Sequence, residues 1–328
     1  MSEIMFAEPV RRAMQAAPWY DQARRAALSE LLARLAAEGY DFVAPTPATQ
    51  RRVLARPGWS EGRTLRDLLG WSLPVASGLL APDMEAALVA AGAVSVAADG
   101  TLRPQLRASR VEDVLFWHSA YPTTAEDSVF LGPDSHRFAG WILARMDSGA
   151  RTILDYGAGA GVGGIIAARR ARSAHLTIAD LNPKALFLAS INAERAGVAH
   201  DVARVERPSD LAGPFDLIVT HPPFMIDAQA RAYRDGGDLY GARLSLDWMV
   251  QGVDLLAPGG RLILHTGVSI VDGRDVLRAA LEPALPAQGV ALTYRELDTD
   301  IFGEDLSEPG YRAVERIAAI GTVLERTG

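Results

Sequence analysis

Residues 152–164, TILDYGAGAGVGG, carry an apolar run straight into five glycines within eight positions. Glycine lets a chain turn tightly and lets a ligand reach main-chain N–H groups without a β-carbon in the way. Helical spacing follows over 161–170, and a second apolar run over 175–179. A strand, a glycine turn, a helix and another strand form a βαβ unit, which belongs in a parallel sheet. The alternation continues with a helix over 183–196, a strand over 215–220, a helix near 240–256 and a strand over 260–266. The fold class expected is therefore α/β, with helices on both sheet faces. GVALTYRELDTDIF and RAVERIAAIGTVLER add two β-prone runs without a full helix between them, an antiparallel pair at the sheet edge.

The first 110 residues differ in character. Helical spacing over 26–42, near Arg63 and over 81–92 precedes AVSVAADGTLRPQL, two short β-prone runs about Asp99-Gly100. Helices followed by a hairpin resemble a winged-helix module. The expected division is residues 1–110, a helical substrate-selecting domain, and 111–328, the α/β domain.

Composition excludes several classes. With no cysteine, disulfides, thiolate metal sites and cysteine nucleophiles are ruled out. His118, His136, His175, His200 and His265 lack metal-ligand spacing and read as structural, so no metal is expected. The opening MSEIMFAEPVRRAM has early acids and no sustained apolar core, and no run approaches a membrane span. A cytoplasmic protein without a membrane partner is expected. The net charge is −7; residues 1–110 hold 13 arginines against 11 acids, so neither part carries the positive field of strong nonspecific nucleic-acid binding.

The glycine loop alone does not name its ligand. Gly159, Gly161 and Gly164 satisfy a dinucleotide fingerprint, with Asp180 placed 21 residues after Gly159. An NAD(P)-dependent oxidoreductase is thus one reading. Asp155, two residues before Gly157, points elsewhere: a carboxylate aimed into the loop suits an ammonium and repels a pyrophosphate. Asp180 ends the next strand, placed to accept from two ribose hydroxyls. S-adenosylmethionine, an aminoacyl sulfonium nucleoside, fits both acids. The plainer alternative makes Asp155 a helix cap and Asp180 a turn residue.

LDYGAGAG, IADLNPKALFLASINAERAG and FDLIVTHPPF together resemble the class I S-adenosylmethionine-dependent methyltransferases. The resemblance is to the group whose fourth strand ends in Asn, Asp or His, then Pro-Pro, then an aromatic residue. It covers residues 110–328 and implies a Rossmann-like sheet. SVFLGPDSHRFA is similar to the segment before the sheet in release-factor glutamine methyltransferases, and Asn182 and Asn192 match positions common in small-domain methyltransferases. The resemblance implies that Tyr156, Gly157, Gly159 and Gly161 line the methionine part of the cofactor, with Asp155 near its amino group. It implies Asp180 at the ribose, Leu181 and Asn182 beside the adenosine, and Ser209 with Asp210 at the adenine.

His221, Pro222, Pro223 and Phe224 would then form the catalytic turn. Two prolines fix φ and remove two N–H groups, so the turn is stiff. Stiffness suits an in-line transfer that depends on holding the acceptor in place. Phe224 would stack on a flat acceptor. Relatives that modify amides and adenines carry Asn or Asp where this chain has His221. A neutral imidazole accepts one hydrogen bond and can also take a proton, which suits an acceptor that must lose one. His221 can also be read as only capping the strand or packing beside the cofactor. The charged segment 227–249 reads as a lid in which Arg231, Tyr233 and Arg234 face either substrate or solvent. The function expected is N-methylation of a protein or RNA. A small-molecule methyltransferase and a non-catalytic S-adenosylmethionine-binding protein are the rivals.

Overall fold

A computed structural model describes residues 20–231 and 233–327; the reading of residues 1–14 lies outside them. The N-terminal part holds helices α1 (Gln22–Ala37), α2 (Pro47–Leu54), α3 (Leu65–Leu69) and α4 (Pro82–Ala90). Two antiparallel hairpins follow: β1 (Val94–Val96) with β2 (Leu102–Pro104), and β3 (Leu106–Val111) with β4 (Val114–Ser119). The helix starts are written locally. Thr46 caps α2 by accepting from Thr49 N at 3.2 Å, with Pro47 next, and Thr64 and Asp67 cap α3 reciprocally. Helix α2 carries no long apolar pattern and was not expected; its cap makes it.

The second part runs α5 (Pro133–Arg145), β5 (Thr152–Tyr156), α6 (Val162–Ala171), β6 (His175–Asp180), α7 (Pro183–Arg195), β7 (His200–Arg204) and β8 (Phe215–Thr220). It continues with α8 (Arg243–Val253), β9 (Leu256–Val271), β10 (Arg274–Asp275), α9 (Val276–Ala284), β11 (Val290–Asp298) and β12 (Arg316–Arg326). The sheet order is β7-β6-β5-β8-β9-β12-β11. The first five strands are parallel, and β12 and β11 close the edge antiparallel. This is the Rossmann-like α/β arrangement, with the expected antiparallel pair at one edge. Strand β7 and helix α9 add to the expected elements, and β9 is longer than its apolar run.

Alternate residues of each strand feed two cores. On one face, Ile153, Val219 and Ile263 meet α5, α6 and α7. On the other, Leu154, Ile218 and Leu264 meet Met249 of α8 and Leu277 of α9. The first core does not stop at the sheet domain. It continues through Phe187 and Ile191 of α7 to Trp117 of β4 and to Leu28, Leu31 and Leu35 of α1. Trp117 Nε1 donates to Leu28 O at 3.0 Å, and Arg25 donates to Ser190 Oγ at 3.0 Å and pairs with Glu194. The division expected at 110/111 falls within β3, in a hairpin whose partner strand packs on α7.

Asn192 of α7, fully buried, ties these parts to the glycine loop. Its side chain accepts from Trp117 N at 2.9 Å and donates to Trp117 O at 3.1 Å and Ala160 O at 2.9 Å. Phe116 and Trp117 of the FWHSAYP stretch are core, whereas Tyr121 and Pro122 reach a cavity at the carboxyl ends of the strands. No helix among the described residues is long and apolar enough to cross a membrane.

Candidate active site

The cavity has a volume of about 710 Å³ and lies where an open α/β sheet places its ligand crevice. Strand β5 feeds it the loop 156–163, and β8 feeds it the turn His221–Phe224. Gly157 turns the chain at φ +66°, and its N–H donates to Ala179 O at 2.9 Å. A β-carbon on Gly157 would lie 2.6 Å from the Trp248 ring, so only glycine fits there. At Gly159 the corresponding space is open.

Asp155 is buried, and its Oδ2 accepts from Gly164 N, in the first turn of α6, at 2.8 Å. Burial pushes its carboxyl up to about 8; the Gly164 N–H works against the shift and the Asp180 charge adds to it. Asp180 accepts from Gly159 N at 2.9 Å on one oxygen and from Asn182 N at 2.8 Å on the other. Burial raises its pKa against these backbone N–H groups. The helix-cap and turn contacts of the plainer reading are therefore present, and both carboxylates also line the cavity.

Tyr156, Leu181 and Asn182 line the same cavity, and three expected residues do not. Gly161 begins α6 at φ +82°, and a β-carbon there would meet Ile165 and Ala189, so it serves helix packing. Asp210 accepts from Glu206 N at 3.2 Å and Arg207 N at 3.0 Å, closing its own turn, with Ser209 beside it. Val205 and Glu206 stand at the cavity in their place.

At the end of β8, Thr220 donates its hydroxyl to Tyr156 O at 2.7 Å, joining the turn to the glycine loop. His221 is half-buried, its Nδ1 2.8 Å from His265 O and 3.3 Å from His265 Nδ1. A carbonyl only accepts, so His221 Nδ1 carries the proton and Nε2 keeps its lone pair. His265 Nδ1, facing that N–H, must then be unprotonated, which puts its proton on Nε2. That nitrogen is buried and has no hydrogen-bond partner among the described residues. Burial lowers the pKa of both histidines, His265 most strongly; Asp134 pulls that of His221 back up.

Asp134, in the first turn of α5, is buried and holds Arg137 Nη1 at 3.0 Å, while Arg137 Nη2 reaches Asp298 at 2.7 Å. Phe138 of α5 and Phe224 flank the His221 ring with centroids 5.6 and 5.7 Å away. Asp134, His265, Phe138 and Trp248 were not singled out as site residues. GPDS carried the only sequence signal for Asp134, and His265 looked structural because its nearness to His221 depends on strand pairing.

The segment after the turn is clasped. Arg231 Nε donates to Asp227 at 2.7 Å, Arg234 pairs with Asp305, and Ile226 N donates to Tyr311 Oη at 2.7 Å. Tyr233 Oη donates to Thr123 O across the cavity. Arg231, Tyr233 and Arg234 all line the cavity, and both arginines are already ion-paired.

The family model "Methyltransferase small domain" matches residues 139–265. A release factor glutamine methyltransferase of Cereibacter sphaeroides is 30% identical over 198 residues, 53% of this chain and 69% of that protein. One from Chlorobaculum tepidum is 34% identical over 164 residues, 45% of this chain and 55% of that protein. A ribosomal RNA small subunit methyltransferase C of Haemophilus influenzae is 31% identical over 127 residues, 36% of this chain and 38% of that protein. The chain thus spans little more than half the length of one of these relatives and about two thirds of another. With the sheet order and the glycine loop, these matches place the chain in the class I S-adenosylmethionine-dependent methyltransferases.

Proposed function

We propose that the protein methylates a nitrogen on a protein or RNA acceptor, using S-adenosylmethionine. The observation carrying this is the meeting, in one cavity, of the glycine loop, the buried Asp155 and half-buried Asp180, and the rigid His221–Phe224 turn. The residues present fit the cofactor. Asp155 is a buried carboxyl with one backbone donor and a raised pKa, an environment that an ammonium group would relieve. Asp180 has spare lone pairs for hydroxyl donors, and the open space at Gly159 leaves room against the backbone. Leu181, Asn182 and Glu206 would flank the nucleoside. S-adenosylmethionine supplies an already activated methyl group. The chain's own task is to hold the acceptor at Pro222, Pro223 and Phe224 and to manage its proton at His221.

The relatives named for release factor and ribosomal RNA support a macromolecular acceptor. A role for the first 110 residues in choosing it is supported by Pro47 and Arg51 of α2, which reach the rim of the same cavity. The test is incubation of the protein with methyl-labelled S-adenosylmethionine and fractionated cell extract. Label in protein or RNA is expected. Label only in small metabolites would overturn the acceptor class, and no label in any pool would point to a binding protein without turnover.

A further inference from the structure

The His221 imidazole is held at Nδ1 by His265 and lies in the field of Asp134. Its Nδ1–H is taken up by the His265 carbonyl at 2.8 Å, with the His265 ring nitrogen at 3.3 Å as a second acceptor. The His265 ring keeps that orientation although its own Nε2–H is buried without a partner among the described residues. An unpaired buried donor is unfavourable, and native proteins keep few of them. Here the arrangement has a consequence: His221 can present only Nε2, as a bare lone pair. From α5, Asp134 lines the same cavity as His221, and Phe138, one turn further along that helix, packs with its ring centroid 5.6 Å from the His221 ring. Across this space Asp134 and His221 each shift the other's ionisation. Arg137 and Asp298 complete the charged groups around that carboxylate.

We propose that Asp134 and His265 are positioning residues that make His221 Nε2 the proton acceptor of the reaction. The methyl acceptor is then a nitrogen that must give up a proton before its lone pair is free, a ring N–H or an ammonium. This rests on the methyltransferase reading and narrows it. A carboxamide or an exocyclic amino group needs only a hydrogen-bond acceptor during transfer, and loses its proton afterwards. A ring N–H or ammonium needs a base. For a ring N–H, the N–H electron pair becomes the N–CH3 bond, the C–S pair stays on sulfur, and the proton passes to His221, so one positive charge is present before and after. Asp134 steadies the imidazolium formed, and His265 keeps the tautomer that can receive the proton. Burial holds the pKa of His221 below its usual 6.5, so the base is neutral and ready at neutral pH.

The experiment is nitrogen-15 NMR of the histidines in the full chain, assigned with His221→Asn, with and without S-adenosylhomocysteine. We expect wild-type His221 to carry its proton on Nδ1 and to titrate below 6.5. Asp134→Asn should lower that midpoint by about one pH unit, an opposite charge at close range having been removed. His265→Leu removes the ring nitrogen but keeps the carbonyl, so His221 should hold its proton on Nδ1 through that carbonyl alone, with its Nδ1 resonance shifted. A wild-type proton on Nε2, or a midpoint unmoved by Asp134→Asn, would overturn the proposal; the first of these needs no variant. Total RNA and total protein labelled with methyl-labelled S-adenosylmethionine are then hydrolysed. Methyl on a ring nitrogen of a nucleoside, or on an amine of an amino acid, supports the class and separates its two sources. Methyl on a carboxamide or exocyclic amino group overturns it. Calorimetry with S-adenosylmethionine tests the underlying reading independently: absence of binding would remove the methyltransferase assignment, while the tautomer and titration would still decide the role of Asp134 and His265.

Discussion

Gly267 of β9 faces the Phe224 ring so closely that a β-carbon on it would sit 2.3 Å from two ring carbons. The strand is hollowed there to seat the aromatic residue of the His221–Phe224 turn. Gly267→Ala is therefore expected to push Phe224 out of its seat. Overpacking of this kind costs about 1–3 kcal/mol, and the acceptor KM should rise several-fold with cofactor affinity nearly unchanged. Urea unfolding, calorimetry with S-adenosylmethionine and steady-state kinetics check the three parts. A variant whose cofactor affinity falls as steeply as its acceptor affinity would count against a seat for the acceptor.

Asp155 gives a pH prediction with a definite sign. Its carboxyl is pushed up to about 8 in the folded protein, above the unfolded value of about 3.8. The folded state then binds more protons than the unfolded one, so this group's contribution is fully present below about pH 4. It is lost as pH rises through about 8. Asp155→Asn should accordingly gain thermal stability relative to wild type between pH 6 and 9, while binding S-adenosylmethionine at least ~10-fold more weakly. Thermal melts across that range, with and without cofactor, test both. A stability difference that shrinks with rising pH would refute the assignment of the shift.

Asn192 should matter more than its distance from the turn suggests. Asn192→Ala strands Trp117 N, Trp117 O and Ala160 O, with a cost of roughly 3–5 kcal/mol for unpaired buried groups. Because Ala160 belongs to the glycine loop, the variant should also bind cofactor more weakly. Chemical denaturation and calorimetry are the measurements. Asn192→Asp loses the two donated bonds and is expected to fare no better.

Arg51 offers a test that distinguishes acceptor binding from cofactor binding. It is an exposed residue of α2 that lines the cavity and makes none of the hydrogen bonds to Asp155 or Asp180. Arg51→Glu is expected to raise the acceptor KM by about 3–10-fold, the size of a partly exposed charge contact, and to leave cofactor affinity unchanged. An unchanged acceptor KM would leave the N-terminal part without this contact.

Much of the sheet was legible because its signals are local. Apolar strands, a glycine turn and proline helix starts are each read within a dozen residues, so β5, α6, β6, α7 and β8 were all expected. Strand β7, His200–Arg204, was not. It has two buried residues, His200 and Val202, at the parallel edge, and exposes Asp201 and Arg204 in a five-residue run. Helix α9 was obscured by Pro283 near its end. In the site, Asp155, Asp180 and the turn were visible for the same local reason. Ser209 and Asp210 misled because an acid before a strand can as well close its own turn as face a ligand. Asp134 and His265 come to His221 from 87 and 44 positions away, through packing of α5 and pairing of β9, which no local pattern states.

That pairing has a consequence of its own. Thr220 on β8 is matched with Leu264 on β9, which sets His265 level with His221. Gly267 follows two residues on, on the same face of the strand, under Phe224. A slip of one residue would turn both away and present Leu264 and Thr266 instead. Alignment of two backbones thus acts as a proofreading step for the proposed chemistry: a misthreaded chain could still bury its apolar residues, yet it would lack the His221–His265 contact and the hollow under Phe224 on which that proposal rests.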